Sequence, residues 1–234
     1  MAKSKKEIVI ANPMYDVVFK LLMADKDIAR YFVGTILGAE ITDIDFAPQE
    51  YSYEKQIQTD NQIKTFNIIR LDFVATIDTK EGEKKVLIEI QQSLKPYDIL
   101  RFRTYIGEQY KNKDNVVSTD DQGVKVMPLV AIYMLGFKLI ETPQIAVKIK
   151  RMGENLIDGS NVKIKHPLFE ALTHDAYFIQ VSRMIPELFD NFEECSELIK
   201  LLSVFEQNYF IDKEYLKKYP YLITHKIIKK MVNP

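Results

Sequence analysis

The chain has a single cysteine, Cys195, and no tryptophan. One thiol cannot close an intramolecular disulfide, which excludes a disulfide-stapled scaffold and a cysteine-rich zinc site. Glycine and proline are sparse, at 8 and 9 of 234 residues, so the composition is neither repetitive nor that of a disordered tract. Neither sign of charge is in excess: 32 Lys and Arg stand against 33 Asp and Glu, a net charge of −1. That argues against a purely electrostatic nucleic-acid binder and leaves room for a local basic face on a neutral protein. Long hydrophobic runs are missing as well. The longest, 126–137, contains Pro128 and Gly136 and falls short of the ~20 residues of a spanning helix. The N-terminal MAKSKKEIVIANP has no long apolar core and no small-residue cleavage pattern, so a cytoplasmic protein with no membrane partner is expected. His166, His174 and His225 form neither H-E-x-x-H nor an i,i+4 pair, and no phosphate-loop or dinucleotide glycine motif occurs. Cys195 sits in EECSEL, an acidic stretch unsuited to a nucleophilic thiolate.

What is present is core-forming material: 47% of residues are hydrophobic and 11% aromatic, enough for one large domain or a domain with an appended subdomain. Asn12-Pro13 predicts a helix start, and a second helix capped by Asp25 or Asp27 is expected to end at Gly38. From 41 to 77 the pattern is extended. Ile69, Leu71, Phe73, Ala75 and Ile77 alternate onto one face, and Ile68, Arg70, Asp72, Val74 and Thr76 onto the other. A Gly82-containing turn leads to Val86, Ile88 and Ile90 on one face of a second strand and Leu87, Glu89 and Gln91 on the other, an antiparallel hairpin. Pro96 opens a helix reaching about 112, with Leu100, Phe102, Ile106 and Tyr110 as its expected core contacts. A polar loop over 114–123 precedes a buried strand within 126–137. A strand near 177–181 and amphipathic helices at 193–208 and 212–230 complete the expectation. The class is α/β, with a core over 11–140 and a mostly helical C-terminal extension over 141–234 packed on it.

The hairpin carries the chemistry. Asp72 lies among apolar neighbours, and Glu89 and Gln91 share a face because side chains two apart point the same way. Buried carboxylates need a partner or a cation. Asp72, Glu89 and the Ile90 carbonyl are the hard oxygen ligands that Mg²⁺ or Mn²⁺ prefers. The alternative is that this face is solvated, with Asp72 paired to Arg70 or a lysine. The basic runs at 148–151 and 226–230 could touch nucleic acid, though such runs are more often solvated faces.

Asp72 in RLDFVATI followed by Glu89-x-Gln91 in VLIEIQ resembles the PD-(D/E)XK nuclease signature. More narrowly, the chain resembles the transposase branch of that superfamily, relatives of the recombination-promoting nucleases. The likeness rests on Asp16-Val17-Val18-Phe19-Lys20 in the first helix, on Ile88-Glu89-Ile90-Gln91, on Arg101-Phe102-Arg103-Thr104-Tyr105, and on Pro128-Leu129-Val130-Ala131-Ile132, in that order. It implies a restriction-endonuclease-like core, a central mixed sheet flanked by helices, and a Mg²⁺- or Mn²⁺-dependent DNA endonuclease of a mobile-element or recombination-associated family. In the implied site Asp72, Glu89 and the Ile90 carbonyl hold the ion, and Asp72, Glu89 and Gln91 are catalytic. Asp16, Lys20, Arg101 and Tyr105 support them. Gln91 stands where the wider superfamily has lysine; it lacks the charge and keeps the ability to hydrogen-bond a water or a phosphate oxygen. Lys20 or Lys95 could supply that charge. Asp16 is otherwise a first-turn acid favouring the helix dipole. Arg101 and Tyr105, one turn apart, either contact DNA, brace Glu89 or pack on the sheet. Two other classes stay open: a catalytically weak or inactive nuclease-fold protein that binds nucleic acid or protein, and a homodimer formed through the C-terminal helices.

Overall fold

A computed structural model of the chain describes residues 12–46, 50–56, 64–70, 73–92, 98–120, 123–163, 166–185, 188 and 194–205. Helix α1 (Asp16–Met23) starts later than Asn12-Pro13 suggests. The Asn12 side chain accepts from the Met14 N–H at 2.8 Å, and the Tyr15 N–H reaches the Asn12 carbonyl at 3.1 Å. Asparagine closes a turn of its own two residues on, and the helix begins after it. Helix α2 (Lys26–Leu37) follows the expectation. Asp25 accepts from the Asp27 and Ile28 N–H groups, and Gly38 ends the helix at φ 64°, where a Cβ is disfavoured.

Twelve strands follow among the described residues. β1 (Ile41–Phe46), β2 (Glu50–Gln56), β3 (Lys64–Arg70), β4 (Phe73–Thr79) and β5 (Gly82–Gln91) lead to helix α3 (Asp98–Lys111). Then come β6 (Val116–Asp120), β7 (Gly123–Val126), β8 (Leu129–Leu135), β9 (Ala146–Ile149), β10 (Gly153–Glu154) and β11 (Asn161–Val162). Helix α4 (Pro167–Leu172), β12 (His174–Gln180) and α5 (Glu197–Leu202) complete the set. Six strands form a mixed sheet in the order β1-β4-β5-β8-β12-β9, and the pairs β2–β3, β6–β7 and β10–β11 stand as separate hairpins. The antiparallel β4–β5 hairpin is as expected, with Phe73 opposite Ile88 and Thr79 opposite Gly82. β5, β8 and β12 run parallel, and α3 lies in the connection from β5 to β8.

The alternation read over 68–77 is strand where it is described: 64–70 pairs with β2, and 73–79 joins the central ladder. Three expectations are corrected. The polar stretch 114–123 holds a 3₁₀ turn and most of the β6–β7 hairpin instead of a loop. Leu100 and Tyr110 of α3 are exposed, whereas Tyr105 and Gln109 are buried, because the helix turns its 102–105–106–109 side to the sheet. The boundary near 140 cuts across the sheet, since β9 and β12 come from beyond it, and the region expected to be mostly helical contributes strands through Gln180. Helix α5 is shorter than the 193–208 expected; the helix expected at 212–230 lies outside the described residues.

Each face of the sheet buries apolar residues of one phase. Phe73, Ile77, Ile88, Ile132 and Ile179 meet α1, α2 and α5 on one side, where Phe19, Phe32, Phe73 and Phe205 form a ring cluster with centroids 5.4–6.4 Å apart. Burying one such ring contributes on the order of 2–3 kcal/mol. Val74, Leu87, Leu129, Ala131, Tyr133 and Ala176 face the other side, under α3. No helix among the described residues is long and apolar enough to cross a membrane.

Candidate functional site

Period-two alternation along β5 puts Lys85, Leu87, Glu89 and Gln91 on the face that α3 covers. The apolar cluster of Val74, Leu87, Tyr105 and Leu129 separates Lys85 from the acid. Lys85, 5% exposed, donates to Thr76 Oγ1 at 2.9 Å, and burial pulls its amine below the ordinary lysine range against the pull of Asp114 and Glu83. Four residues of strand, about 13 Å, lie between it and Glu89, so it belongs to the hairpin's interior.

Glu89 is 4% exposed and stands in register with Tyr133 of β8. Burial pushes the Tyr133 hydroxyl up to about 12, and the charge of Glu89 adds to the shift. Tyr133 stacks on Phe178 with centroids 4.9 Å apart and touches Phe102 of α3 at 5.1 Å. Two residues on, the buried Gln91 accepts a hydrogen bond at Oε1 from the Arg101 guanidinium. Arg101 in turn lies 5.4 Å from the Phe102 ring centroid and 5.9 Å from that of Tyr105. The helix therefore braces Gln91 through Arg101, and Tyr105 packs into the cluster below. The Gln91 carbonyl accepts from the Gly136 N–H at 2.8 Å, which ties the end of β5 to the turn after β8.

The remaining site residues divide. Asp16 and Lys20 pair with each other on α1 at 3.0 Å, both substantially exposed, and Phe19 between them anchors α1 to the opposite face of the sheet. The start of α1 nonetheless meets the end of β5, because Gln92 Nε2 donates to the Met14 carbonyl at 3.1 Å. Asp72, Lys95, Pro96 and the 226–230 run lie outside the described residues. Asp72 directly precedes Phe73, whose partner Ile88 directly precedes Glu89. No group of three or more His, Cys, Asp or Glu side chains gathers among the described residues.

Sequence reasoning missed Tyr133 and Lys85. Lys85 was available from the β5 alternation. Tyr133 was not, because only the β5–β8 register brings it beside Glu89. Comparisons with protein-family models, with curated proteins and with solved structures find no match to this chain.

Proposed function

We propose that the chain is a divalent-metal-dependent DNA endonuclease with a restriction-endonuclease-like core, of the PD-(D/E)XK transposase branch it resembles, cutting phosphodiesters at the end of β5 beneath α3. The observation that carries this reading is the pairing of strand and helix: Glu89 and Gln91 share one buried face, and Arg101 reaches down from α3 to Gln91. The element order supports it, with a helical start, an antiparallel hairpin, and a helix leading to a parallel strand.

The donors suit a hard cation. Glu89 is a buried carboxylate, the hard oxygen donor such a cation takes. Glu89, Asp72 and the Ile90 carbonyl would hold Mg²⁺ or Mn²⁺, with Asp16 as the nearest acid on α1. Such an ion would supply Lewis-acid chemistry at the scissile phosphate and a more acidic water. Arg101 supplies the positive charge that lysine supplies elsewhere in the superfamily, and it does so from the helix. Arg101 holds the Gln91 carbonyl oxygen and so fixes the amide at the end of β5. Tyr105 positions Arg101 through packing.

The test is melting temperature with and without Mn²⁺, alongside plasmid nicking, for wild type, Asp72→Asn and Glu89→Gln. Mn²⁺ at a hundredfold its dissociation constant should stabilise wild type by about 2.7 kcal/mol. Both variants should lose that stabilisation and all nicking. Equal Mn²⁺ shifts in all three proteins would show that these acids are not the metal site, and the binding-module reading would then replace this one.

A further inference from the structure

Beside the Glu89–Gln91 end of β5, α3 leaves an open groove on its β12 side. The groove has a volume of about 500 Å³, within the range of small-molecule sites. Phe102, Arg103 and Tyr110 of α3 line it together with Tyr133, His174 and Phe178 of the sheet. It follows α3 from Ile99 to Tyr110, about 16 Å at the helical rise, which is room for more than one flat ring. Five of these six side chains carry rings. Arg103, exposed, is the charged one, and no carboxylate lines the groove among the described residues.

Tyr133 joins this groove to the site above. The strand registers set Glu89, Tyr133 and Phe178 in one row across β5, β8 and β12, and the Tyr133 ring lies within 18° of parallel to that of Phe178. At the far end Tyr110 Oη and His174 Nδ1 are 2.8 Å apart. Burial holds His174 below its ordinary pKa, so its ring is neutral at pH 7. Whichever partner then carries the shared proton, the pair keeps one donor and one acceptor for another molecule. Gly107 opens the groove. Glycine inside a helix costs about 1 kcal/mol against alanine, and a Cβ at this position would meet open space, so the packing does not require it. What the missing side chain leaves is room in the groove it lines.

We propose that this groove takes unpaired bases of the strand being cut, so that the substrate is single-stranded or locally unpaired nucleic acid: the bases stack against the rings of Phe102, Tyr133 and Phe178 while Arg103 meets a backbone phosphate at the rim. Every base has a π-face, and stacking it on an aromatic side chain contributes about 1–3 kcal/mol. The occupant follows from the kind of lining. An aliphatic partner segment has no use for a guanidinium at the rim, whereas a nucleotide uses the rings and the cation together. A base inside an intact duplex has its faces covered by its neighbours and must leave the stack to enter. That the bases belong to the strand being cut rests on the nuclease reading; the stacking itself uses neither Glu89 nor Gln91.

The experiment measures binding of the full chain, in EDTA, to a short single-stranded oligonucleotide carrying one 2-aminopurine. Wild type should bind it and quench its fluorescence. Gly107→Leu fills the groove and should bind about tenfold more weakly or worse, with the quenching lost. Its melting temperature should equal or exceed that of wild type, because leucine is the better helix former and its Cβ meets no neighbour. Phe178→Leu removes a ring without adding bulk and should weaken binding as well, which decides the matter if Gly107→Leu melts lower. Arg103→Gln should reduce the slope of log K against log salt by about 0.7, the share of one single-strand phosphate. Equal quenching by wild type, Gly107→Leu and Phe178→Leu would overturn the groove as a base site. So would an absence of quenching by wild type, or equally tight binding of the same probe annealed to its complement. Plasmid nicking in Mn²⁺ judges the nuclease reading separately. Nicking without quenching would sink only this inference, and quenching without nicking would leave a base-binding groove on a protein that does not cut.

Discussion

Replacing Gln91 with lysine should weaken this protein. Gln91 is buried and accepts from the Arg101 guanidinium, and both side chains lie under α3. A lysine ammonium has no acceptor, so Gln91→Lys removes a hydrogen bond to a charged group, an interaction worth about 1.5–3 kcal/mol. It also sets two cations against each other. At an effective dielectric near 20, unit charges 4 Å apart repel by about 4 kcal/mol. Two factors reduce the sum: the lysine stem can swing aside, and Glu89, two residues back on the same face, attracts it. The net expectation is a loss of roughly 1–3 kcal/mol, which for a chain of this length lowers Tm by about 3–10 °C. Gln91→Glu gives Arg101 a carboxylate at the cost of a like charge beside Glu89, and should melt above Gln91→Lys near neutral pH. Thermal denaturation followed by circular dichroism, in buffer free of divalent ions, measures both. A Gln91→Lys protein that melts with wild type or higher would refute the argument, because Arg101 would not then occupy the charge position.

Three further outcomes follow from the packing. Phe205→Ala should cost about 3–5 kcal/mol, since the ring is fully buried against Phe19 and Phe32, and truncation near residue 190 should leave an insoluble or unstable protein; soluble expression and a cooperative melt decide the matter. Gly34→Ala should destabilise α2 although alanine is the better helix former by ~1 kcal/mol, because a Cβ there meets the Ala39 carbonyl oxygen at 2.9 Å; urea denaturation of the pair reads the sign. His174 is held below its ordinary pKa of 6.5 by burial, which outweighs the pull of Asp175. The folded chain thus binds that proton less readily than the unfolded one, so this contribution to stability is complete above about pH 6.5 and is lost as pH falls through the lower folded value. Tm against pH should drop less steeply below that point in His174→Asn than in wild type.

The β4–β5 hairpin, the caps of α2 and the buried β8 were legible because each has a local signature: period-two alternation, an Asp before the helix with Gly after it, and an unbroken apolar run. The pairing partners of 64–70 and 73–79 were not, since period two reads the same whether a strand lies against β2 or against β1. The inward face of α3 was misjudged because Leu100 is more apolar than Gln109, yet helix geometry turns 102, 105, 106 and 109 toward the sheet together. At the site, the shared face of Glu89 and Gln91 came from spacing alone. The partner of Gln91 did not, because the place of Arg101 on its helix suits contact with DNA, bracing of Glu89 and packing equally well. The place of Tyr133 depends on a parallel register that neither strand encodes by itself.

The parallel neighbours β5 and β8 bear on how the protein is made. An antiparallel hairpin such as β4–β5 closes across a two-residue turn as soon as it leaves the ribosome. The Gln91 carbonyl, by contrast, waits for the Gly136 N–H, and Glu89 waits for Tyr133, 44 or more residues later. Arg101 arrives between them. The side chains grouped around the end of β5 are therefore assembled late, after α3 has crossed over and β8 has docked, and a nascent chain that stops short of residue 136 presents the acid without its surroundings. The grouping around Glu89 is thus complete only once the chain beyond residue 136 has emerged, so its integrity reports on the whole of the parallel core.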